Sequence, residues 1–436
     1  MNKVYYANAV YGKEEVNAVN KVLKNHLTLM DGPLVKEFET KVAKVFGKKY
    51  GVMVNSGSSA NLIALASLNL PKGGEVITPA LTFATTVAPI YQCGLIPHFV
   101  DVEDHEFITN AQHIAQALTD KTVAIMVPNL LGNVCDWKEI YNFAKQHGLK
   151  VIEDCADTIG YKYWDSKDGT TGKYNDLVTT SFYASHIITA AGLGGMVCTN
   201  DKKLVGKLKL LRGWGRSSAL FNESEAIERR FNTKVDGIDY DSKFIFTDIG
   251  YNFLPSEISA AFGLEQLKKL PKYKKIRQEN FEKLRDFFKP YWDMHWVEGV
   301  GFGHADTPWL AYPLVLGDKA PFNRKQMQIH FEKNGVQVRT IFTGNITRQP
   351  VMKNKKWNIS IDNDLKKIIQ DTVKQDNYVF KFFTTPQYNT SIPDYSFNID
   401  LKQLCTTGDI QFEHKSNQTP RLFSRKIYNY SYEVVQ

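Results

Sequence analysis

The sequence predicts an α/β fold in which a mostly parallel sheet is covered by helices on both faces. Between about residues 50 and 200, short apolar runs rich in Val and Ile alternate with longer amphipathic segments. The apolar runs are bounded by Gly, Pro, Asn or Asp, which is typical of buried strands. Functional groups in such sheets collect at the carboxyl ends of the strands, so the residues that follow each strand are the candidates for a site.

The elements follow one another in an order that also indicates two domains. Strands are predicted at 50–55, 75–79, 97–102, 123–127, 150–153 and 178–183, and helices at 58–70, 82–92, 110–118 and 136–147. Residues 201–290 are predicted to be largely helical, with a polar insertion near 217–242 and a connecting helix over 264–270 and 274–288. Strands and helices then alternate from about 292 to 343. We therefore predict a large domain over 1–270 and a smaller C-terminal domain over 271–436.

Composition excludes several classes of protein. The net charge of +8 over 436 residues is mild and its lysines are dispersed, which favours a solvated basic surface, or a weak field for an anionic small substrate, over nucleic-acid binding. The five cysteines are widely spaced without a CxxC pair, so neither a disulfide framework nor a metal cluster is expected. No signal peptide and no run of about 18 apolar residues is seen, and a soluble cytoplasmic protein is expected.

Two candidate features would bind an anion and a flat ring. Ser56, Gly57 and Ser58 follow a strand and begin a helix, where small residues and the helix N-terminus favour a phosphate group. A serine-rich helix cap is the alternative. Phe83 follows the next strand and would stack on a heteroaromatic ring, with ordinary core packing as its alternative.

Two further features carry titratable groups. Asp154 and Asp157 lie at the end of an apolar strand, where a carboxylate would keep a pyridinium nitrogen protonated, or would be a helix cap or a surface acid. His186 lies in the segment between the last predicted strand and the Gly194-Gly195 pair. A lone histidine is more often structural and a glycine pair is usually a turn. Together, the four features at successive strand ends predict one pocket.

The sequence resembles the DegT/DnrJ/EryC1/StrS sugar aminotransferase family from about residue 5 to residue 345. The matching segments are 26–39, 56–58, 127–132, 153–154, 181–183, 212–216, 250–257 and 260–267. The resemblance implies the fold type I of enzymes dependent on pyridoxal 5'-phosphate (PLP), with a mostly parallel seven-stranded-type sheet flanked by helices and a smaller α+β C-terminal domain. The match to the family ends near residue 353, and the polar segment 400–436 is expected to be mobile or truncated.

The resemblance also implies roles for individual residues. The residues expected to bind the cofactor phosphate are Ser56, Gly57, Ser58, Ser181 and, from the second subunit of a homodimer with shared active sites, Asn252. Phe83 would stack on the cofactor ring, Asp154 would pair with its nitrogen and Asp157 would lie near its hydroxyl group. Arg216, Arg339 and Asn345 match segments that bind the sugar or the nucleotide.

His186 stands where this family has the lysine that holds PLP as a Schiff base, and no lysine occurs between Tyr174 and Asp201. The substitution is similar to that in nucleotide-sugar 3-dehydratases, which use pyridoxamine 5'-phosphate (PMP) and a 4-keto sugar. The resemblance implies His186 as the catalytic acid/base and a nucleotide-sugar substrate. It leaves open whether glutamate, as an amino donor, or an electron-donating reductase recycles the cofactor, because the segments 212–216 and 250–257 also resemble the branch that carries an iron–sulfur cluster. The loop after Arg216 contains no cysteine, so we expect no iron–sulfur cluster.

Two other functions stay open on the sequence. An aminotransferase would need another lysine, and Lys173 and Lys202 lie nearest to the motif. A non-catalytic binding protein derived from such an enzyme would also explain the lost lysine and the atypical C-terminus.

Overall fold

The computed structural model describes residues 4–6, 8–25, 28–221, 227–295, 297–299, 301–317, 319–360, 379–383, 396–397 and 432–433. Apart from 396–397 and 432–433, the chain from 384 onwards therefore lies outside the described residues, and with it most of the segment expected to be mobile. His26 and Leu27 of the matching segment 26–39 lie outside them as well.

The strands of the described residues are short, and eight of them form one central sheet. They are β1 Tyr50–Val54, β2 Glu75–Pro79, β3 Ile96–Val100, β4 Thr122–Pro128, β5 Lys150–Cys155, β6 Lys162–Tyr163, β7 Leu177–Ser181, β8 Gly195–Thr199, β9 Lys234–Val235, β10 Ile238–Asp239, β11 Val297–Glu298, β12 Ala305–Asp306, β13 Ala311–Leu316, β14 Arg339–Thr340, β15 Asn358–Ile359, β16 Val379–Phe383, β17 Ser396–Phe397 and β18 Tyr432–Glu433. The central sheet has the order β1-β8-β7-β5-β4-β2-β3-β15, and β8 alone among them runs antiparallel to its neighbours. The predicted mostly parallel sheet is confirmed, with β15 as a two-residue extension of one edge.

The helices cover this sheet on both faces. They are α1 Lys13–Lys24, α2 Pro33–Val45, α3 Gly57–Ser67, α4 Ala84–Gln92, α5 Ala111–Gln116, α6 Trp137–Gln146, α7 Lys202–Arg212, α8 Ile227–Arg230, α9 Glu257–Trp292 and α10 Arg324–Lys333. Short 3-10 turns lie at Leu130–Gly132, Ser217–Leu220, Ser242–Phe244, Ile346–Arg348 and Pro350–Met352. The 36-residue α9 runs unbroken through Pro271, so the domain boundary predicted at 270/271 falls inside a helix.

Alternation along the strands creates the two apolar layers. In β1, Val52 and Val54 pack against Ala60 of α3 on one face, whereas Met53 joins the cluster of Phe38 from α2 on the other. Successive strand side chains point to opposite faces, so a strand buried on both sides is apolar at nearly every position. This explains why the strands appear in the sequence as continuous apolar runs.

The smaller domain is an antiparallel sheet in the order β11-β13-β16-β14, packed with α10 and the second half of α9. The N-terminus joins it, because Val4 bridges to Val336. Residues 343–360 return to the large domain, where the Ile346 amide donates to the Ala80 carbonyl over 2.9 Å and β15 pairs with β3. Within the described ranges, no helix has the length and apolar character needed to cross a bilayer.

Candidate active site

A cavity of about 560 Å³ opens at the carboxyl ends of the parallel strands. Its wall combines residues that follow β1, β2, β4, β5 and β7 with residues of the smaller domain. The sequence-predicted residues that line it are Ser56, Gly57, Ser58, Phe83, Asp154, Asp157, Ser181, His186 and Arg339. The two domains together therefore bring into one cavity residues that lie more than 280 positions apart in the chain, such as Ser56 and Arg339.

The N-terminus of α3 forms one end of the cavity. Ser56 is the helix N-cap, and its Oγ accepts from the Ser59 amide over 3.1 Å, so the capping interpretation holds for this residue. The first amides of a helix lack intrahelical partners and attract an anion. Gly57 faces Ser181 so closely that a Cβ there would lie 2.5 Å from Ser181 Cβ. A side chain at position 57 would therefore clash with Ser181, and glycine lets the start of α3 lie close to the end of β7, where both line the cavity.

Asp154 lies at the carboxyl end of β5 and is only 3% exposed. It is therefore neither a surface acid nor a helix cap. Its Oδ2 accepts from Asn61 Nδ2 over 2.8 Å and from Thr86 Oγ1 over 2.9 Å, and its Oδ1 accepts from the Ala156 amide over 3.0 Å. Burial raises the pKa of Asp154, and the three hydrogen bonds oppose that rise. The carboxyl group is fixed in position and faces the cavity.

Phe83 and Asp157 lie on the cavity wall between these two ends. Phe83 is 49% exposed, so it is not a core residue, and its ring meets that of Phe342 at 5.9 Å in an edge-on arrangement. Asp157 Oδ2 accepts from the Leu131 amide over 2.9 Å, which ties it to the turn after β4. An exposed aromatic face and a fixed carboxyl group thus line the same space.

His186 belongs to the loop between β7 and β8. The loop is closed by hydrogen bonds from the Ala184 amide to the Gly192 carbonyl and from the Ala190 amide to the Phe182 carbonyl, both over 3.1 Å. The His186 amide donates to the Tyr183 carbonyl over 3.0 Å, and the two rings lie 6.0 Å apart. The backbone therefore fixes where the imidazole meets the cavity.

The residues that line this cavity, all within the described ranges, include no lysine. Lys173 lies near the ring of Tyr174, 5.7 Å from its centroid, and Lys202 is the exposed first residue of α7. Neither of the lysines considered as a replacement is part of the cavity wall.

The remaining predicted residues differ in their positions. Arg339 lines the cavity beside Tyr6, with its guanidinium carbon 4.2 Å from the centre of that ring. Arg216 is outside the cavity wall and packs on the ring of Trp214 at 4.5 Å. Asn345 is buried and caps its own turn, since its Oδ1 accepts from the Thr347 amide, and Asn252 is exposed outside the cavity.

The model of the DegT/DnrJ/EryC1/StrS aminotransferase family matches residues 10–367. The chain belongs to this family. Over 345 residues it is 35% identical to a dTDP-4-dehydro-2,6-dideoxy-D-glucose 3-dehydratase of Saccharopolyspora spinosa, covering 77% of this chain and 73% of the relative. It is 32% identical over 360 residues to a GDP-4-keto-6-deoxy-D-mannose 3-dehydratase of Yersinia pseudotuberculosis, covering 80% and 86%. A solved GDP-4-keto-6-deoxymannose-3-dehydratase with a trapped PLP-glutamate geminal diamine has a TM-score of 0.74 at 28% identity, covering 87% and 95%.

This DegT family member is accordingly a PLP-dependent enzyme with the type I fold, and both predictions are confirmed. The side chains of the cavity fit the cofactor. A helix N-terminus, which attracts anions, and a buried carboxyl group line one cavity, and PLP has a phosphate group to match the first and a ring nitrogen to match the second. No cluster of three His, Cys, Asp or Glu side chains suited to a metal ion occurs in the described part of the chain.

Sequence reasoning passed over several residues of this DegT enzyme's cavity. Asn61 and Thr86, which hold Asp154, and Tyr6, which stacks on Arg339, were not singled out. Asn61 had a usable signal, since it is an amide in the otherwise small and apolar helix GSSANLIALAS. A polar residue at a buried helical position needs a hydrogen-bond partner. Tyr6 gave no such signal, because only the folded chain brings the N-terminus to the smaller domain.

Proposed function

We propose that this protein is a nucleotide-sugar 3-dehydratase that removes the C3 hydroxyl group of a nucleotide-linked 4-keto-6-deoxyhexose. The product would supply 3,6-dideoxysugars for a surface polysaccharide. The observation that supports the proposal is that His186 lies on the wall of the same cavity as the residues expected to bind the cofactor. A histidine at this position cannot anchor the cofactor covalently but can transfer protons.

The proposed chemistry divides between the cofactor and the protein. Bound as PMP, the cofactor supplies an amine that joins the sugar carbonyl and a ring that withdraws electrons from it. His186 removes a proton next to the ring and delivers a proton to the departing C3 hydroxyl group. Asp154 holds the ring nitrogen in its protonated form, Phe83 covers one face of the ring, and the amides after Ser56 bind the phosphate group.

We also propose a class of nucleotide for the substrate and an amino donor for the cofactor, both by analogy with the relatives. The two relatives are named for dTDP and GDP sugars, and the group that these sugars share is a nucleoside diphosphate. The PLP-glutamate adduct in the solved relative supports glutamate as the donor that regenerates PMP. The absence of cysteine from residues 216–224 of the sequence supports recycling without an iron–sulfur cluster.

Turnover on a panel of substrates tests the proposal. The full chain with PLP and glutamate is expected to convert at least one of the GDP-, CDP- and dTDP-linked 4-keto-6-deoxyhexoses into its 3-deoxy product with release of ammonia. Product mass and ammonia are measured together, because an aminotransferase would instead give an amino sugar and no ammonia. An amino sugar as the sole product, or no turnover on any of the three, would contradict the assignment.

A homodimer with shared active sites is the proposed assembly. Asn252 is exposed and bridges to Gly213 rather than lining the cavity of its own chain. The segment around it exposes a series of large apolar side chains: Leu220, Phe221, Phe231, Phe244, Phe246 and Ile249. A surface with this many exposed apolar groups is typical of a protein–protein interface. Paired with a second copy, it would bring Asn252 to the partner's phosphate site.

Complementation between two defective variants tests the shared site. His186→Asn and Asn252→Ala chains, expressed together with different tags, are expected to regain about a quarter of wild-type activity, because half of the dimers are mixed and each mixed dimer has one intact site. Each variant alone is expected to be much less active. A mixture no more active than the average of the two separate proteins would show that both residues serve the same chain's site.

A further inference from the structure

Asn61 is a polar side chain inside the apolar layer of the large domain. It lies one turn into α3, flanked by Ala60 and Leu62, and its side chain is 3% exposed. It also reaches the cavity wall. An amide costs stability when it is buried, so its hydrogen bonds explain what it does at this position.

Every hydrogen-bonding group of this amide has a partner. Its Nδ2 donates to Asp154 Oδ2 over 2.8 Å and to the Thr85 carbonyl over 3.2 Å, and its Oδ1 accepts from Thr179 Oγ1 over 2.5 Å. A charged carboxylate and a backbone carbonyl only accept hydrogen bonds, so the NH₂ group must face them. The orientation of the amide is therefore fixed, and it presents a donor to Asp154.

We propose that Asn61 is a positioning residue that keeps Asp154 charged and aimed at the cofactor ring. This inference rests on the proposed role of Asp154 as the partner of the ring nitrogen. A carboxyl group in so buried a place favours its neutral form, and a neutral carboxyl group would no longer hold the ring nitrogen protonated. Asn61 counteracts this by stabilising the anion without adding a charge of its own.

Thr86 does not make Asn61 redundant. Both donate to Oδ2 of Asp154, whereas Oδ1 accepts only the Ala156 amide among the described contacts. Two donors on Oδ2 saturate that atom and leave the second lone pair of Oδ1 for a ligand. Without the amide of Asn61, the Asp154 carboxylate would lose one of the hydrogen bonds that stabilise its charged form. Its side chain would also rotate more easily.

Two substitutions at this position test the inference through the affinity for PMP, measured by fluorescence titration of the cofactor-depleted full chain across pH. Asn61→Leu removes the donor at similar volume, and we expect about a tenfold to hundredfold loss of affinity near neutral pH. The acidic limb of the affinity profile is expected to move to higher pH by about one to two units. A stabilising donor has been lost, so Asp154 is protonated at a higher pH than in the wild type.

Asn61→Asp tests the donor itself and guards against a variant that merely packs badly. A protonated carboxyl group there donates to Asp154 as the amide does, so Asp154 stays charged over the pH range in which the pair holds one proton, and the acidic limb should lie closer to that of the wild type than to that of Asn61→Leu. The matched control is Ser67→Ala on the same helix, whose buried hydroxyl donates to the Ala64 carbonyl away from the cavity. Its affinity profile should coincide with that of the wild type.

The outcome is separable from that of the proposed function. If Asp154→Asn binds PMP as tightly as the wild type, the role assigned to Asp154 is wrong, and the inference falls with it. If Asp154→Asn loses affinity while the acidic limb of folded Asn61→Leu coincides with that of the wild type, only the role of Asn61 is overturned.

Discussion

The His186→Asn variant is expected to turn over its nucleotide 4-keto sugar roughly 10²–10⁴ times more slowly than the wild type. Asparagine keeps a polar group of similar reach but cannot exchange a proton near neutral pH, so the proton-transfer steps lose their acid and base. Affinity for PMP should change little, because the groups assigned to the phosphate and the ring nitrogen are untouched. Steady-state kinetics and cofactor titration on the same preparation measure the two effects separately.

Two companion variants sharpen this prediction. His147→Asn, at the exposed end of α6, removes another imidazole and should leave turnover unchanged. His186→Lys restores an amine where the family has its lysine. Borohydride reduction with PLP should then label residue 186, which peptide mapping detects. Unchanged dehydration in His186→Asn, or no labelled lysine at 186, would mean that this side chain is not next to the reacting atoms.

The sequence predicted the parts of the molecule that depend on local pattern. The strands buried on both faces appear as apolar runs, and the helix starts follow small or capping residues, as at Ser56 and Asn110. β8 was missed because the Gly194-Gly195 pair was interpreted as a turn. In the structure Gly195 begins the strand, where a Cβ would lie 2.2 Å from the Ser56 carbonyl oxygen. The glycine signals a close approach of two chain segments, which the local sequence does not reveal.

Contacts between distant segments were beyond sequence reasoning for the same reason. Glu257 at the start of α9 accepts from the amides of Gly32, Leu34 and Val35 and so caps α2, more than 220 residues earlier in the chain. Only the fold places this carboxylate at that helix N-terminus. Asn345 is a case in which a motif was recognised but the role of the side chain was not. Its segment matches one that binds substrate, yet its side chain caps a turn in the structure. A motif identifies a segment, whereas the hydrogen bonds of its side chains depend on the rest of the fold.

The Asp154→Asn variant is expected to lose catalysis on the order of 10²–10³-fold and to bind the cofactor more weakly. An amide carries no charge to keep the ring nitrogen protonated, so the ring withdraws electrons less strongly. The exchange also leaves a donor without an acceptor. Oδ2 of Asp154 takes hydrogen bonds from Asn61 and Thr86 and Oδ1 takes one from the Ala156 amide, so the NH₂ group of an asparagine must face one of these donors. Asparagine is therefore not a neutral replacement here, and some loss of thermal stability should accompany the loss of activity.

The pH dependence gives this prediction its sharpest form. Burial raises the pKa of Asp154, so in the cofactor-free wild type the charge is lost as pH falls through that raised value. Cofactor affinity of the wild type should therefore decline on the acid side, and the affinity of Asp154→Asn should be low and lack that decline. Asp201→Asn, which still caps α7 and lies outside the cavity wall, is the control and should follow the wild type. An acidic limb that persists unchanged in Asp154→Asn would assign the titration to a different group and remove Asp154 from the cofactor site.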